Sequence, residues 1–158
     1  MIFVILGTQK NQFTRMLSMV EELVSEGDVK EPVVAQIGYT DFKTDKFQCF
    51  SMVNEEEFQK YVSEASVIIT HSGSGALFSA IKKGKKIIAV ARLKKYDEMV
   101  DDHQTELVKK LTEEGYILDG TYSLKDAWEK LANFTPRAYD FKNTIGETIS
   151  NWIDNDLI

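Results

Sequence analysis

A loop of small residues stands between an apolar run and a helical pattern, and it consists of His71, Ser72, Gly73, Ser74 and Gly75. Backbone N–H groups at the start of a helix lack partners within the helix, and the helix dipole attracts negative charge there. Glycines allow a ligand to approach the backbone closely. The pattern therefore favours a site for a phosphate group, although a turn with a purely structural role uses the same residue types.

Three other glycine-containing fingerprints do not match this loop. The dinucleotide motif G-x-G-x-x-G would need a glycine where the chain has Phe78. The nucleophile elbow G-x-S-x-G would need a glycine two residues before Ser72 or Ser74, where Thr70 and Ser72 stand. The sequence also contains no G-x-x-x-x-G-K-[ST]. These mismatches argue against a stand-alone hydrolase or a flavodoxin-like binder, which stays the weakest alternative.

Small and polar residues also follow other apolar runs. Gly7 and Thr8 come after the first run, and Arg92 comes after the fifth, ahead of "YDEMVDDHQ". Ligands of open α/β sheets bind at the carboxyl ends of the strands. We therefore expect these residues to lie near the loop at 71–75.

The elements that position these loops alternate along the chain. Apolar runs predict strands at residues 2–6, 33–37, 47–50, 67–70, 86–91 and 116–118. Helical spacing of apolar residues separates most of them, and runs of Val and Ile are typical of parallel strands covered on both faces. The sequence predicts a Rossmann-like, doubly wound α/β fold. The connection between the second and third runs has no room for a clear helix and is the least defined.

Composition narrows the classes of function. The 158 residues, 43% apolar and 28% charged, predict one domain over 1–158. With 25 acidic against 19 basic residues the net charge is −6, which disfavours nucleic acid and anionic lipid as ligands. The lysines at 82–86 form a local patch or a solvated helix end. Two histidines and one cysteine offer no converging metal ligands, so we expect no metal site.

The cellular compartment is predicted from the same composition. A single cysteine, Cys49, forms no intrachain disulfide and fits a reducing compartment. No run approaches the roughly 20 apolar residues of a membrane-spanning helix, and "MIFVIL" is too short for the core of a signal peptide. We expect a cytoplasmic protein without a membrane span.

A final helix is predicted at about residues 137–155. After Pro136, its apolar stripe consists of Phe141, Ile145, Ile149, Trp152 and Ile153. Such a stripe must be covered. It packs on the sheet of this domain or takes part in a partner interface, and the sequence leaves both open.

Four motifs in order carry a resemblance over about 120 residues: "VILGTQKNQFTRML", "VVAQIGYT", "ASVIITHSGSGALFSAIKKGKKIIAVARLKKY" and "DDHQTELVKKLTEEGYIL". The chain resembles small glycosyltransferase subunits of bacterial exopolysaccharide and capsule synthesis, of the family 28 C-terminal-domain type. These are similar to the catalytic subunit of the two-part N-acetylglucosaminyltransferase that extends dolichol-linked chitobiose. The resemblance implies the carboxyl-terminal, donor-binding half of a GT-B glycosyltransferase.

The resemblance also implies residues for the donor diphosphate. Residues 72–75, with Gly7 and Thr8 from the first strand, would face it. Arg92 is a candidate stabiliser of the leaving group. His71 would shape or contact the donor rather than take the proton of the acceptor.

The resemblance assigns recognition of the sugar and of the uracil base to residues outside the loop at 71–75. His103 and Gln104 look like the pair that hydrogen-bonds hexose hydroxyls, and Met52 and Val53 lie near the segment that reads uracil. The chain departs from its relatives at Ser79, where a glutamate is usually the ribose ligand. It also departs at Ala91, where a proline is usual, and at Met99, where a histidine is usual.

The resemblance leads to a specific functional hypothesis. It implies a subunit that binds a UDP-hexose, most plausibly UDP-galactose, and transfers the sugar with inversion to a lipid-linked saccharide, with no cofactor. The general base would come from a membrane-associated, acceptor-binding partner subunit, which would hold this protein at the inner face of the membrane. Because of Ser79 and Met99, a catalytically silent nucleotide-sugar-binding or assembly module stays open as the alternative.

Overall fold

The computed structural model describes residues 1–140, and six short strands form its centre. They are β1 (Ile2–Ile5), β2 (Val33–Gln36), β3 (Gln48–Phe50), β4 (Val67–His71), β5 (Lys86–Val90) and β6 (Leu118–Asp119). All neighbouring strands are parallel, in the order β3-β2-β1-β4-β5-β6. This is the order of a doubly wound sheet, so the predicted fold class is confirmed.

Helices cover both faces of the sheet. They are α1 (Thr14–Ser25), α2 (Glu55–Glu64), α3 (Ser74–Lys82), α4 (His103–Glu113) and α5 (Leu124–Lys130). The residues of β1 alternate between the two apolar cores: Ile2 and Val4 pack with α1 and α5, whereas Phe3 and Ile5 pack with α2, α3 and α4. Because both faces are buried, the central strands need the uniformly apolar sequences that they have. Within residues 1–140, no helix combines the length and the apolar character that crossing a membrane requires.

The order of the strands fixes the place of the site. β1 is hydrogen-bonded to β2 on one side and to β4 on the other, with Ile5 opposite Thr70. The chain therefore leaves β1 and β4 in opposite directions, and a crevice opens at their carboxyl ends. Gly7 and His71 lie at this point.

The structure corrects three details of the predicted elements. The last strand is Leu118–Asp119, not 116–118, because Leu118 and Asp119 are the residues that pair with β5. Ile117 is buried but lies before this pairing, so its apolar character did not mark the strand. α5 was not predicted. Residues 137–140 are not helical: the Arg137 N–H donates to the Gly115 carbonyl, and Tyr139 packs edge-on against Phe78. The remainder of the predicted final helix, with Trp152 and Ile153, lies outside the described residues.

The lysine-rich stretch at 82–86 supports the end of a helix. The Lys83 ammonium donates to Gln59 Oε1 at 2.7 Å and to Ser63 Oγ at 3.1 Å. The Lys85 ammonium donates to the carbonyls of Ser63 and Ala65, the latter at 2.9 Å. Cations at the carboxyl end of a helix complement its dipole. These two lysines therefore stabilise the end of α2.

Candidate functional site

A cleft of about 560 Å³ lies at the carboxyl ends of β1 and β4. It is lined by Ile5, Gly7, Thr8, Gln9, Gln36, Phe58, His71, Ser72, Gly73, Ser74, Gly75, Ala76, Met99, Asp101, His103, Gln104 and Leu107. The loop at 71–75, called the phosphate-type loop below, thus forms the floor of the cleft, and the loops after β1 and β5 form its walls. A second groove of about 550 Å³ lies near the start of β6 and the end of α5, and includes Leu118 and Lys130. It lies away from the carboxyl ends of the strands.

The His71 ring is held between two backbone segments. A Cβ atom on either Gly7 or Gly73 would overlap the imidazole, so both positions require glycine. The Gly73 N–H donates to His71 Nδ1 at 3.0 Å. That bond assigns the proton of the neutral ring to Nε2. Within residues 1–140, Nε2 makes no hydrogen bond, and the ring lines the cleft.

The environment of His71 keeps it uncharged. Burial, and then the positive charge of Arg92, lowers the pKa of His71 to about 3. A general base works best when its pKa lies near the operating pH, so this imidazole is poorly suited to that role. A neutral imidazole in the lining of a cleft can instead donate a hydrogen bond from Nε2 to a ligand oxygen.

We expect the burial of neutral His71 to appear as a pH dependence of stability. In the unfolded chain a histidine titrates near 6.5, so below that pH the unfolded state binds a proton that the folded state refuses. The contribution is fully present above pH 6.5 and declines toward pH 3. Between pH 7 and pH 5 the free energy of unfolding should fall by about 2 kcal/mol from this group.

Urea unfolding at both pH values measures this change. His71→Asn is the matched variant, because an amide cannot titrate but can still accept from the Gly73 N–H. It should remove most of the fall. If the variant and the original chain have the same pH dependence, His71 is not the group responsible.

The start of α3 lies at the cleft. Gly73 stands at the N-cap position and provides no side-chain cap, and Leu77 N–H is the first to bond back, to the Gly73 carbonyl at 3.2 Å. The N–H groups of Gly75 and Ala76 therefore have no intrahelical partner. Among the residues that the structure describes, a Cβ atom at Gly75 would have no heavy atom within 4 Å apart from its chain neighbours and the backbone of α3. The open space at Gly75 leaves the helix start accessible to an anion.

Gln104 is oriented by two internal hydrogen bonds. Its Oε1 accepts from Ser72 Oγ at 2.8 Å and from the Arg92 backbone N–H at 3.1 Å. Because the Arg92 amide can only donate, these bonds fix which end of the side-chain amide is the oxygen. Gln104 is only 8% exposed and lines the cleft, so its NH₂ group is the end left to interact with a ligand.

The loop before α4 forms the other wall. Asp101, His103 and Met99 all line the cleft. The Asp101 carboxylate accepts the His103 backbone N–H at 2.9 Å, and the His103 ring lies 3.8 Å from the Glu106 carboxylate. The wall therefore combines an apolar side chain with polar groups at the helix start, a mixture that suits a sugar ring with its hydroxyls.

Arg92 lies outside the cleft, contrary to its predicted role as a leaving-group stabiliser. Its side chain is 1% exposed. The guanidinium donates to the carbonyls of Leu6 at 2.9 Å, Asn11 at 2.9 Å and Glu98 at 3.3 Å, and it stacks on Phe13. Its direction is thus set by backbone carbonyls that need a donor.

Three other predicted positions also lie off the lining. Met52 is 44% exposed on a loop, and Val53 reaches the site only through its N–H, which donates to Gln36 Oε1 at 3.3 Å. Ser79 faces α2, where its hydroxyl lies 3.5 Å from the Gln59 amide. The remaining predicted residues, including Gly7, Thr8 and 71–75, come together as expected.

Eight lining residues were not predicted as site residues: Ile5, Gln9, Gln36, Phe58, Ala76, Met99, Asp101 and Leu107. Two of them, Gln36 and Phe58, had a usable signal in the sequence. Gln36 is the last residue of β2 and is 6% exposed. The predicted strand ran to residue 37, and a strand predicted to end at residue 36 would have placed Gln36 at the carboxyl edge of the sheet. Phe58 recurs with Tyr61 and Val62 at the spacing of a helix, which predicts an apolar helix position but not a lining residue. Among residues 1–140 no cluster of three or more His, Cys, Asp or Glu side chains could hold a metal ion.

Comparison with known proteins gives the same architecture. The solution structure of ALG13 superimposes with a TM-score of 0.59 at 18% identity, covering 94% of this chain and 96% of that one. The calicheamicin glycosyltransferase CalG4 gives a TM-score of 0.59 at 19% identity, covering 83% of this chain and 34% of that one. These likenesses support the donor-half fold of GT-B glycosyltransferases.

Sequence comparison leads to the same group. The chain is 24% identical to the UDP-N-acetylglucosamine transferase subunit ALG13 of Candida albicans over 92 residues, which is 58% of this chain and 29% of that protein. It is 26% identical to the Mus musculus subunit over 76 residues, 48% of this chain and 6% of that protein. The aligned segments thus span less than a third of either relative. The glycosyltransferase family 28 C-terminal domain matches residues 1–150, and the chain belongs to that family.

Proposed function

We propose that this chain is the donor-binding subunit of a two-part glycosyltransferase that uses a UDP-hexose. The observation that carries the proposal is the cleft at the β1/β4 switch point, where the uncapped start of α3 and the neutral His71 present hydrogen-bond donors together. Such a set of donors suits the oxygens of a diphosphate. Membership of the family supplies the class of substrate.

The diphosphate would lie against residues 72–75, with Gly7 and Thr8 on the other side. Backbone N–H groups and the dipole of α3 would stabilise the negative charge that develops on UDP as it leaves. No divalent ion is required in this arrangement. His71 would donate from Nε2 to a phosphate oxygen without adding a charge that changes with pH.

The hexose would lie against the wall formed by the loop before α4. The Gln104 NH₂ group would donate to a sugar hydroxyl, with His103 beside it and Met99 supplying an apolar surface. We propose UDP-galactose as the donor. This choice rests on the resemblance to capsular galactosyltransferase subunits.

The reaction would proceed with inversion in one displacement. The acceptor hydroxyl forms a bond to the anomeric carbon as the bond from that carbon to the diphosphate breaks, the acceptor proton passes to a base, and UDP leaves. His71 does not suit the role of the base, for the reason given by its pKa. We propose that a partner subunit supplies the base and presents a lipid-linked saccharide during exopolysaccharide or capsule synthesis.

Exposed apolar side chains on the carboxyl side of the sheet support a partner on that side. The large apolar side chains exposed among residues 1–140 are Tyr39, Met52, Tyr96, Val100 and Tyr122. All five lie on loops that follow the carboxyl ends of strands. Exposed aromatic and apolar groups gathered on one edge mark interaction surfaces. Docking of a membrane-associated partner there would close the donor site and hold this subunit at the cytoplasmic face of the membrane.

A catalytically silent module that enhances a partner transferase is the second candidate. Two observations favour it: Ser79 faces Gln59 rather than the cleft, and Met99 occupies the wall where relatives have a histidine. Such a module would bind the nucleotide without contributing to transfer.

Replacing Gln104 with alanine separates sugar recognition from nucleotide recognition. We expect the variant to lose about tenfold more affinity for UDP-galactose than for UDP, because a donated hydrogen bond to the sugar is lost. A smaller loss for UDP itself would come from the bonds of Gln104 Oε1 to Ser72 Oγ and the Arg92 N–H. Calorimetric titration of both ligands into both chains gives the ratio. Equal losses for UDP and UDP-galactose would leave the ratio unchanged and would remove Gln104 from the sugar site.

A further inference from the structure

Arg92 connects the two loops that form the cleft without entering it. Its guanidinium donates to Leu6, directly before Gly7, and to Asn11, further along the loop after β1. It also donates to Glu98, directly before Met99 in the loop after β5. One side chain thus fixes both backbone segments that approach the ligand from opposite sides.

The backbone of Arg92 acts on a third part of the site. Its N–H donates to Gln104 Oε1, and the same oxygen accepts from Ser72 Oγ in the phosphate-type loop. Any displacement of Arg92 therefore reaches Gly7, Gln104 and Ser72 together. A buried guanidinium is expensive to desolvate, and here its Nε has no hydrogen-bond partner within the described residues. A purely apolar side chain would avoid that cost.

We propose that Arg92 is a positioning residue for the donor site, which fixes the loops around the diphosphate and places a permanent positive charge behind His71. The proposal rests on the proposed function, since it concerns the same cleft. Arg92 acts through Gly7, Gln104 and His71 and contacts no substrate itself.

The charge on Arg92 accounts for part of the behaviour of His71. Burial is the larger cause of the lowered pKa of His71, and the charge of Arg92 is the second. The other charged or titratable groups around this end of the cleft are Asp101, His103 and Glu98. Glu98 is compensated by Arg15, whose Nε and NH2 lie 2.8 and 2.9 Å from its two carboxylate oxygens. Arg92 is therefore the positive charge that acts on His71.

Arg15 provides a matched control for Arg92. It also joins α1 to the loop after β5, by bonds to Glu98 and to the carbonyls of Ala91 and Thr121. It does not contact the Leu6 carbonyl or the Gln104 amide. Replacing it should therefore destabilise the same loop without loosening the Gly7 side of the cleft.

The experiment compares Arg92→Met, Arg92→Lys and Arg15→Met by two measurements on the full chain. Calorimetry gives the affinity for UDP. NMR of the imidazole signals follows the protonation of His71. We expect Arg92→Met to lose at least about tenfold in UDP affinity and to raise the pKa of His71. Arg15→Met should lower the melting temperature but leave the UDP affinity as in the original chain.

Arg92→Lys keeps the charge but cannot span three carbonyls. It should preserve the His71 titration and still lose about tenfold in UDP affinity, so the proposal stays testable if Arg92→Met does not fold. Unchanged UDP affinity in Arg92→Lys would overturn it, as would equal losses in Arg15→Met and Arg92→Met. If the original chain binds no UDP, the proposed function fails, whereas an unchanged His71 titration in Arg92→Met contradicts the role of Arg92 itself.

Discussion

Gly75→Val should weaken UDP binding by at least about 100-fold while the melting temperature changes by only a few degrees. The reason is the space at this position: among residues 1–140, a Cβ atom would have no heavy atom within 4 Å beyond its chain neighbours and the backbone of α3. The methyl groups of valine would therefore occupy the approach to the start of α3. A diphosphate that needs the N–H groups of Gly75 and Ala76 would then be held away from them. Calorimetric titration with UDP, beside thermal unfolding of both chains, measures the two effects.

Two further variants on the same loop and helix serve as controls. Ser79→Ala alters a hydroxyl that faces α2, so its UDP affinity should match that of the original chain. Gly73→Ala should lower both stability and affinity, because its methyl group would overlap the His71 ring. Should Gly75→Val bind UDP within threefold of the original chain, the diphosphate does not lie at the start of α3.

Sugar transfer should depend on a second subunit. We expect the purified chain alone to transfer no measurable galactose, and the chain with its membrane-associated partner to be faster by at least about 100-fold, the usual worth of a positioned general base. The lowered pKa of His71 leaves that residue unsuited to the role. Mass spectrometry of a lipid-linked saccharide acceptor, incubated with UDP-galactose, identifies the product.

The control for this experiment is the partner combined with Gly75→Val, which should give no product because the donor is not bound. A partner that is equally active with and without this subunit would exclude a divided active site. An isolated chain that transfers galactose at an ordinary enzymatic rate would place the base within this chain. Product formed with Gly75→Val at the normal rate would favour the silent-module alternative.

The sheet was predictable from sequence because its strands are buried on both faces. Runs such as 67–70 and 86–91 are apolar throughout, and this leaves little choice of element. The last strand and α5 were harder, for physical reasons. β6 pairs through Leu118 and Asp119 alone, and α5 is seven residues long with Leu124 and Ala127 as its buried positions. Neither element is long enough to show a clear repeat in the spacing of its apolar residues.

The site was predictable where it is local. The loop at 71–75 and the start of α3 follow one another in the chain, so their residue types predict directly a helix start that can receive a phosphate. The direction of Arg92 depends instead on carbonyls up to 86 residues away in sequence. Ser79 turns to Gln59 because α2 packs beside α3. Such tertiary contacts leave no local pattern in a single sequence.

The most direct test of the donor site is an amide NMR titration of the chain with UDP in the absence of divalent ions. The account predicts that UDP shifts the amide signals of Gly73, Gly75 and Ala76 and the ring signals of His71, and that ADP shifts them much less. Signals of the other groove, near Leu118 and Lys130, should not move. Shifts centred on that groove, equal responses to UDP and ADP, or no response at millimolar UDP would contradict the assignment of the cleft as a UDP-sugar site.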